Sequence, residues 1–197
     1  MVVYIHYLTL FILSTEKGWI VTTFTKKMNT KAIFVTLAII FTTCDCWLNS
    51  YDGKLEYICP NNQSVSGIRS QHDNRHEDRI FDIICRISTG IGSRCQWSGY
   101  VNGFDEFFAF QCKYHGYIHG MRSIHDNGSE DRRWDFYCCE HDGFDVTECY
   151  QTSHTNWDSY FSVDVPLNYV MRGVTSTHDN RHEDREYSFE LCKLREV

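Results

Sequence analysis

The chain has 197 residues, a formal net charge of −7, an aromatic share of 15% and ten cysteines. The chain is not strongly basic, which argues against a broad nucleic-acid-binding surface, and no nucleic-acid partner is expected. The aromatic content argues against a disordered acidic chain. These values indicate one folded domain of ordinary size with a sizeable core, exported from the reducing cytosol.

Two apolar stretches precede the expected folded part. Residues 28–46 contain Lys31, then the apolar run Ala32–Phe41, then small residues, which is typical of a secretory signal peptide. That run is too short to cross a bilayer, which needs about 20 apolar residues. We expect residues 1–27 to be an upstream extension or a mis-assigned start; the alternative is a longer signal or a membrane-anchored N-terminus. The mature part, residues 47–197, is predicted to contain no membrane span.

Cysteine usage and glycosylation signals in the mature part point to export. Residues 47–197 contain eight cysteines, an even number, and no CxxC pair. This pattern favours a disulfide-bonded secreted protein over a structural zinc or thioredoxin-type site. The sequons at Asn62 and Asn127 fit glycosylated surface loops. The expected localisation is secreted, in the extracellular matrix.

One octapeptide occurs three times at a constant interval. It begins at His72, recurs unchanged at His178, and has a looser copy that begins at His125. Both steps are 53 residues long, which indicates that one unit was copied twice. The three repeats cover about 47–93, 94–146 and 147–197.

The runs on either side of each octapeptide are typical of strands. In Arg133–Cys138 and Glu186–Cys192, aromatic and polar residues alternate with the period of a half-buried strand. Leu55–Cys59 and Phe107–Cys112 are shorter strand candidates, and no segment has the pattern of a long amphipathic helix. We predict an all-β, disulfide-stabilised fold of three pseudo-symmetric repeats of short antiparallel strands, trefoil-like or prism-like, with each octapeptide connecting a hairpin.

The repeat phase limits the disulfide pairing. Cys59 and Cys85 flank the first octapeptide and are predicted to bridge the outer strands of the first repeat. Cys149 precedes the third repeat's strands and Cys192 ends them, which predicts a second pair. Adjacent cysteines on a strand point to opposite faces, so each takes a different partner. Cys95 and Cys112 are therefore expected to pair with Cys138 and Cys139, in an order that remains open.

The octapeptide and the strand after it resemble a known family. Asp131–Cys139 is similar to the Asp-Arg-Glu/Gln-Trp-x-Phe/Tyr motif of the dermatopontin family with its paired cysteines. Asp78–Ile83 and Asp184–Phe189 are weaker copies, with Phe or Tyr in place of Trp. The resemblance covers nearly all of residues 47–197. The Tyr-rich acidic N-terminal segment of vertebrate members and one family disulfide are missing, which suggests an invertebrate-type member.

The resemblance implies a secreted or extracellular-matrix binding protein. The partners that it implies are glycans or glycosaminoglycans, matrix proteins such as collagen or proteoglycans, and cell-surface receptors. Invertebrate members of the family include carbohydrate-binding agglutinins, biomineral matrix proteins and a venom cytotoxin. The resemblance does not decide among these roles.

An architectural role is favoured for the octapeptide. Asp and Asn side chains cap turns through bonds to the backbone, and an Arg fork suits a carboxylate at the base of the hairpin. Repetition supports this role, because each repeat faces the same packing problem. The residues assigned to it are Asp78, Arg79, Asp131, Arg132, Asp184 and Arg185.

A ligand-binding loop is the alternative for the octapeptide. Planar polar groups beside aromatic rings suit sugar hydroxyls and sugar faces, although a glycan on Asn127 would block the middle loop. The candidate ligand-binding residues are Asp73, Asn74, Glu77, Asp126, Asn127, Glu130, Asp179, Asn180, Glu183 and Trp134.

Metal binding and catalysis have weaker support. Acidic oxygens with His72, His76, His178 and His182 offer metal donors, but the spacing matches no calcium loop, so no metal or cofactor is predicted. The sequence contains no phosphate-binding glycine loop, G-x-S-x-G or H-E-x-x-H motif. Three near-identical carboxylate sets lack the asymmetry of a catalytic pair, so no enzyme is expected. The leading hypothesis is an adhesive or matrix-binding protein; the alternatives are a cytolytic or defence protein acting on membranes and a structural collagen- or mineral-associated protein.

Overall fold

The structure is a computed structural model in which the chain separates into two units, residues 1–46 and 47–197. In the first unit, an antiparallel sheet is formed by β1 (Leu8–Thr15), β2 (Gly18–Thr25) and β3 (Ile39–Ile40), in this order. The expected upstream extension and signal peptide fall mainly outside the described residues and remain predictions. The structure describes residues 8–15, 18–25, 39–40, 47–88 and 90–197.

In the described part of the second unit, every regular element is a β-strand. This agrees with the predicted all-β class. The strands are β4 (Leu55–Ile58), β5 (Gln63–Asp73), β6 (Asp78–Ile87), β7 (Ile91–Trp97), β8 (Phe108–Gln111), β9 (Tyr117–Asp126), β10 (Asp131–His141), β11 (Phe144–Gln151), β12 (Phe161–Asp164), β13 (Tyr169–Asp179) and β14 (Asp184–Glu196).

Three long antiparallel hairpins, β5–β6, β9–β10 and β13–β14, form the framework. Each hairpin closes within an octapeptide: in the first, His72 pairs with Arg79 and Asp73 with Asp78. The polar residues between them form the turn, because they have nothing apolar to bury and their short side chains can bond to the turn backbone. The predicted connecting role of the octapeptide is therefore correct, although its ends belong to the strands.

Each hairpin takes an edge strand from another repeat. β4 of the first repeat pairs with β9 of the second, with Leu55 opposite Ser123. β8 of the second repeat pairs with β13 of the third, and β12 of the third repeat pairs with β5 of the first. The exchange thus returns to its starting repeat after three steps. The two later contacts place Phe108 opposite Ser176 and Phe161 opposite Ser70, so the same two positions of the 53-residue repeat meet in every step.

The exchanged strands complete three separate sheets. Their strand orders are β4-β9-β10-β7, β11-β14-β13-β8 and β12-β5-β6. The sequence left a trefoil-like and a prism-like arrangement open. Three distinct sheets, rather than one closed barrel, correspond to the prism-like arrangement.

The sheets meet around a core of three aromatic side chains at equivalent positions. Phe81, Trp134 and Tyr187 are buried, and their ring centroids lie 5.1, 5.8 and 6.3 Å apart. Each pair is close to perpendicular, the edge-to-face geometry that aromatic pairs prefer. The octapeptide therefore leads directly into the residue on which the three sheets pack.

Four disulfides close the second unit. Cys59 bonds to Cys85 and Cys149 to Cys192, the same two pairs as the sequence predicted. The first pair lies within the first repeat, as expected, but it connects two sheets, because Cys59 follows β4, which pairs with β9 of the second repeat, whereas Cys85 lies in β6. The order that was open is now assigned: Cys95 bonds to Cys139, and Cys112 bonds to Cys138.

Candidate functional site

The three octapeptide turns share one local geometry. In the first and third, the Asp73 and Asp179 side chains accept the backbone N–H of Arg75 and Arg181, both at 2.8 Å. In the second, Asp126 accepts the N–H groups of the two residues at the turn. The side-chain bond from Arg75 lowers the pKa of Asp73 far below its ordinary value. These aspartates are thus occupied in shaping the turns.

Beneath the turns, buried arginines connect the repeats in a cycle. Arg132 donates two bonds of 2.6 Å to Asp78, Nε to Oδ1 and Nη2 to Oδ2. The same two-bond pairing recurs in the other two steps, and all six side chains are buried. The partner of each arginine is an aspartate of the preceding repeat, not one in its own hairpin. The two further pairs are Arg185 with Asp131 and Arg79 with Asp184.

The turns converge at one end of the unit. Glu77, Glu130 and Glu183 line one shallow depression together with the three arginines and two of the three aspartates of the ion pairs. Beside it, the rings of Tyr51 and Trp157 stack on histidines of the first and third turns, with centroids 4.8 and 5.0 Å apart. The structure therefore brings the predicted loop residues to a common surface, where Asn74, Asn127 and Asn180 are exposed. Their role in ligand binding stays a prediction.

Trp134 does not belong to that surface. Its side chain is only 2% exposed and packs edge-on against Phe81 and Tyr187. The assignment of this residue to a ligand site is therefore corrected: it is a core residue. The alternation of aromatic and polar residues predicts that the Trp134 ring lies on one face of β10. Only the packing of the three sheets shows that this face is the interior.

A larger groove than this depression lies elsewhere, in the second repeat. A groove of about 750 Å³ runs beside the β7 and β8 strands and contains the aromatic rings of Trp97, Phe110 and Tyr114. Tyr114 is 72% exposed, which is unusual for a large aromatic residue in a folded chain. Polar side chains surround these rings. They belong to Ser93, Arg94, Gln96, Ser98, Gln111, Lys113 and Glu140.

An ion pair, a cation–π contact and two disulfides hold the side chains and strands of the groove in place. Arg94 forms a 2.7 Å ion pair with Glu140, and the guanidinium of Arg122 lies 4.3 Å from the centre of the Trp97 ring. Cys95, Cys138 and Cys139 also line it, so two disulfides hold its strands together. A rigid wall with several planar polar groups and accessible rings can bind a ligand that is polar at its edges and apolar on its faces.

Sequence reasoning did not identify this groove. Neither Trp97 nor Tyr114 was among the predicted ligand-binding residues, and the region around Tyr114 carried no motif. An aromatic residue outside the alternating strand pattern, as at Tyr114, is the one signal that could have indicated exposure. The neighbourhood of the two rings depends on how β8 is exchanged into the third sheet, which no local pattern encodes.

These features define a class: an all-β, disulfide-bonded module of three repeats, linked by exchanged strands and by a cycle of buried ion pairs. The family model described as Dermatopontin matches residues 49–196. The chain belongs to the dermatopontin family, as the resemblance of the octapeptide segments predicted.

Three relatives illustrate the range of the family. The hemagglutinin/amebocyte aggregation factor of Limulus polyphemus is 39% identical over 171 residues, which cover 85% of this chain and 99% of that protein. Millepora cytotoxin-1 of Millepora dichotoma is 34% identical over 145 residues, covering 74% of this chain and 65% of that protein. Dermatopontin of Biomphalaria glabrata is 32% identical over 148 residues, covering 75% of this chain and 99% of that protein. No solved structure matches the chain.

Proposed function

We propose that this protein is a secreted binding protein of the extracellular matrix or cell surface that recognises glycans or glycoproteins, and that it does not act by catalysis. The groove around Trp97 and Tyr114 is the observation that carries the proposal. The expected partners are glycans, glycosaminoglycans or proteoglycans and matrix proteins such as collagen, with cell-surface receptors as a further class.

The chemistry of the groove suits a sugar. A sugar ring has apolar C–H faces and a rim of hydroxyl groups, so it needs flat apolar surfaces and planar hydrogen-bonding groups at the same place. Tyr114 offers an accessible face, and the Gln96 and Gln111 amides offer donors and acceptors beside it. Because Arg94 is paired with Glu140, Lys113 supplies the remaining positive charge. A neutral or acidic sugar fits this balance better than a cationic ligand.

The relatives also support a binding function. A protein whose name states that it is a hemagglutinin and an aggregation factor is 39% identical to this chain. Agglutination requires at least two binding sites in one particle, so a single groove would need either self-association or a second site on the octapeptide surface. Direct binding is therefore a better first measurement than agglutination.

The decisive experiment compares Tyr114→Ala with a control at the equivalent position of the third repeat. Leu167 lies 53 residues later and is 74% exposed, but it does not line the groove. On a glycan array and by calorimetry with the best glycan, we expect Tyr114→Ala to weaken binding by about tenfold or more, as loss of a central aromatic contact does. Leu167→Ala should leave binding unchanged.

Two outcomes would contradict the groove as the site. Equal binding by wild type and Tyr114→Ala would remove the groove from the proposal. If Asn74→Ala and Asn180→Ala abolished binding instead, the octapeptide surface would be the site, as the alternative interpretation of the sequence has it.

A cytolytic function is the second candidate, and the relation to Millepora cytotoxin-1 favours it. In the residues that the structure describes, no helix has the length and apolar character needed to cross a membrane. Leakage of dye from phosphatidylcholine vesicles and lysis of erythrocytes would support this candidate. Saturable binding to collagen or mineral without any glycan selectivity would support a purely structural matrix role.

A further inference from the structure

Each repeat places one histidine with a buried side chain beside two aspartates of one neighbouring repeat. The donor atoms of each group lie within 4.8 Å of one another. A fourth group, Cys149 with Glu190 and Cys192, is unavailable for metal binding because its cysteines form a disulfide. The three histidine groups are His72 with Asp158 and Asp184, His125 with Asp52 and Asp78, and His178 with Asp105 and Asp131.

The middle group differs from the other two in its histidine. His72 and His178 bond through Nδ1 to the side-chain oxygens of Asn74 and Asn180, at 3.2 and 3.1 Å. The His125 side chain is fully buried, and within the described part of the chain neither of its ring nitrogens has a hydrogen-bond partner. Burying such a group without a partner is unfavourable, so this ring requires another explanation.

Three carboxylates face the His125 ring at distances too long for hydrogen bonds. Nε2 lies 3.8 Å from Asp78 Oδ1 and 3.7 Å from Glu130 Oε2, while Nδ1 lies 3.8 Å from Asp52 Oδ1. Asp78 receives two bonds from Arg132 and one from the Asp52 backbone N–H. A carboxylate has about four acceptor positions, so one on Oδ1 remains for the space beside Nε2.

The charged groups around His125 also leave an excess of negative charge. Arg132 neutralises Asp78, whereas Asp52 and Glu130 together retain two negative charges if His125 is neutral. A divalent cation would balance these two negative charges and stabilise the ionised carboxylates.

We propose that His125 Nε2, Asp78 and Glu130 bind one divalent transition-metal ion, with Asp52 orienting the imidazole through Nδ1. An imidazole with carboxylates suits Zn²⁺, whereas Ca²⁺ and Mg²⁺ take oxygen ligands alone. Zinc bonds of about 2.0–2.2 Å place tetrahedral ligand atoms about 3.3–3.6 Å apart. The distances from Nε2 to the Asp78 and Glu130 oxygens, 3.8 and 3.7 Å, are slightly longer than this. A carboxylate that holds the other ring nitrogen is the usual support of a metal-bound histidine.

The position of this site gives the metal a structural context. Asp78 comes from the first repeat, and His125 and Glu130 come from the second, so a bound ion would link two repeats beside their buried ion pair. This inference is independent of the proposed glycan groove.

The test measures Zn²⁺ binding to tag-free protein by equilibrium dialysis and calorimetry. We expect one ion per chain for the wild type, with Ca²⁺ unable to compete. Glu130→Gln and Asp52→Asn alter partly exposed side chains and should not prevent folding; each should weaken Zn²⁺ binding by about 10–100-fold. Glu183→Gln and His72→Gln are the matched controls, 53 residues from Glu130 and His125, and should leave Zn²⁺ binding unchanged.

Nuclear magnetic resonance of the His125 ring provides a second readout that does not depend on mutations. Binding of Zn²⁺ should shift the Nε2 resonance. Absence of saturable Zn²⁺ binding, or equal affinity in Glu130→Gln and Glu183→Gln, would overturn the proposal. A ring that is already an imidazolium at neutral pH and is unaffected by Zn²⁺ would also overturn it, because its charge would then balance the carboxylates.

Discussion

At the residue scale, the arginine of each octapeptide has the most demanding environment. Arg79, Arg132 and Arg185 are all buried, yet each carries a charge at any physiological pH. Two short bonds to a buried aspartate and further bonds to backbone oxygens compensate for the lost hydration. A lysine could not form the same planar fork. In each of the three copies, one residue separates this arginine from the buried aromatic residue of the core.

Removal of one arginine should be costly. In Arg132→Met, Asp78 would remain buried without its partner, and we expect the free energy of unfolding to fall by about 3–5 kcal/mol. Arg69→Met is the control, because Arg69 and Asp82 form an exposed pair at 3.8 Å and its loss should cost less than about 1 kcal/mol. Urea denaturation measures both. Similar losses in the two variants would show that the buried cycle does not stabilise the fold.

At the element scale, the exchange of short strands requires close approach of backbones. Gly67, Gly120 and Gly173 lie 53 residues apart, each opposite the last residue of an exchanged strand. A Cβ at Gly120 would lie 2.6 Å from the Tyr57 carbonyl oxygen, and one at Gly173 would lie 2.5 Å from that of Phe110. These glycines are therefore needed for space rather than for an unusual backbone conformation.

This geometry predicts a graded effect of alanine. Gly120→Ala and Gly173→Ala must displace the exchanged strand, and we expect each to destabilise the fold by about 1–3 kcal/mol. At Gly67 the nearest atom to an added Cβ is 3.2 Å away, so Gly67→Ala should cost less. Thermal unfolding of the three variants gives the ranking. An equal or larger loss at Gly67 would argue that the exchanged strands do not stabilise the sheets in this way.

At the scale of the whole molecule, one buried and one partly buried histidine make stability depend on pH. His119 and His141 pack around the buried Tyr117 ring, with centroids 6.2 and 4.4 Å from it. Burial lowers the pKa of both histidines below the ordinary value of 6.5. The unfolded chain therefore binds more protons than the folded chain just below that value. The stability that these residues contribute is present above pH 6.5 and is lost as the pH falls towards their lower folded pKa values.

We therefore expect the melting temperature of the wild type to decrease between pH 7.5 and pH 5.5. His141→Gln cannot be protonated and should show a smaller decrease over the same interval. His154→Gln is the control, because His154 is 53% exposed at its side chain. Melting curves by circular dichroism measure the effect. An identical decrease in wild type and His141→Gln would place the pH sensitivity in other groups.

The sequence by itself determined the features that depend on near neighbours. Alternation of apolar and polar residues identified the long strands, and the polar octapeptides located the turns at Asp73, Asp126 and Asp179. The 53-residue phase of the cysteines indicated two of the four disulfides. The resemblance at Asp131–Cys139 identified the family.

Only the tertiary structure decided how the copies associate. The three octapeptides are nearly identical, so nothing local specifies that Arg132 pairs with Asp78 rather than with Asp131 of its own hairpin. Because the repeats are so similar, the sequence also does not specify which sheets receive β4 and β8. The exposure of Tyr114, which follows β8, and the burial of Trp134 depend on how these strands are exchanged. Local patterns report which face of a strand is apolar, but inter-repeat packing decides which of these faces becomes core and which becomes groove.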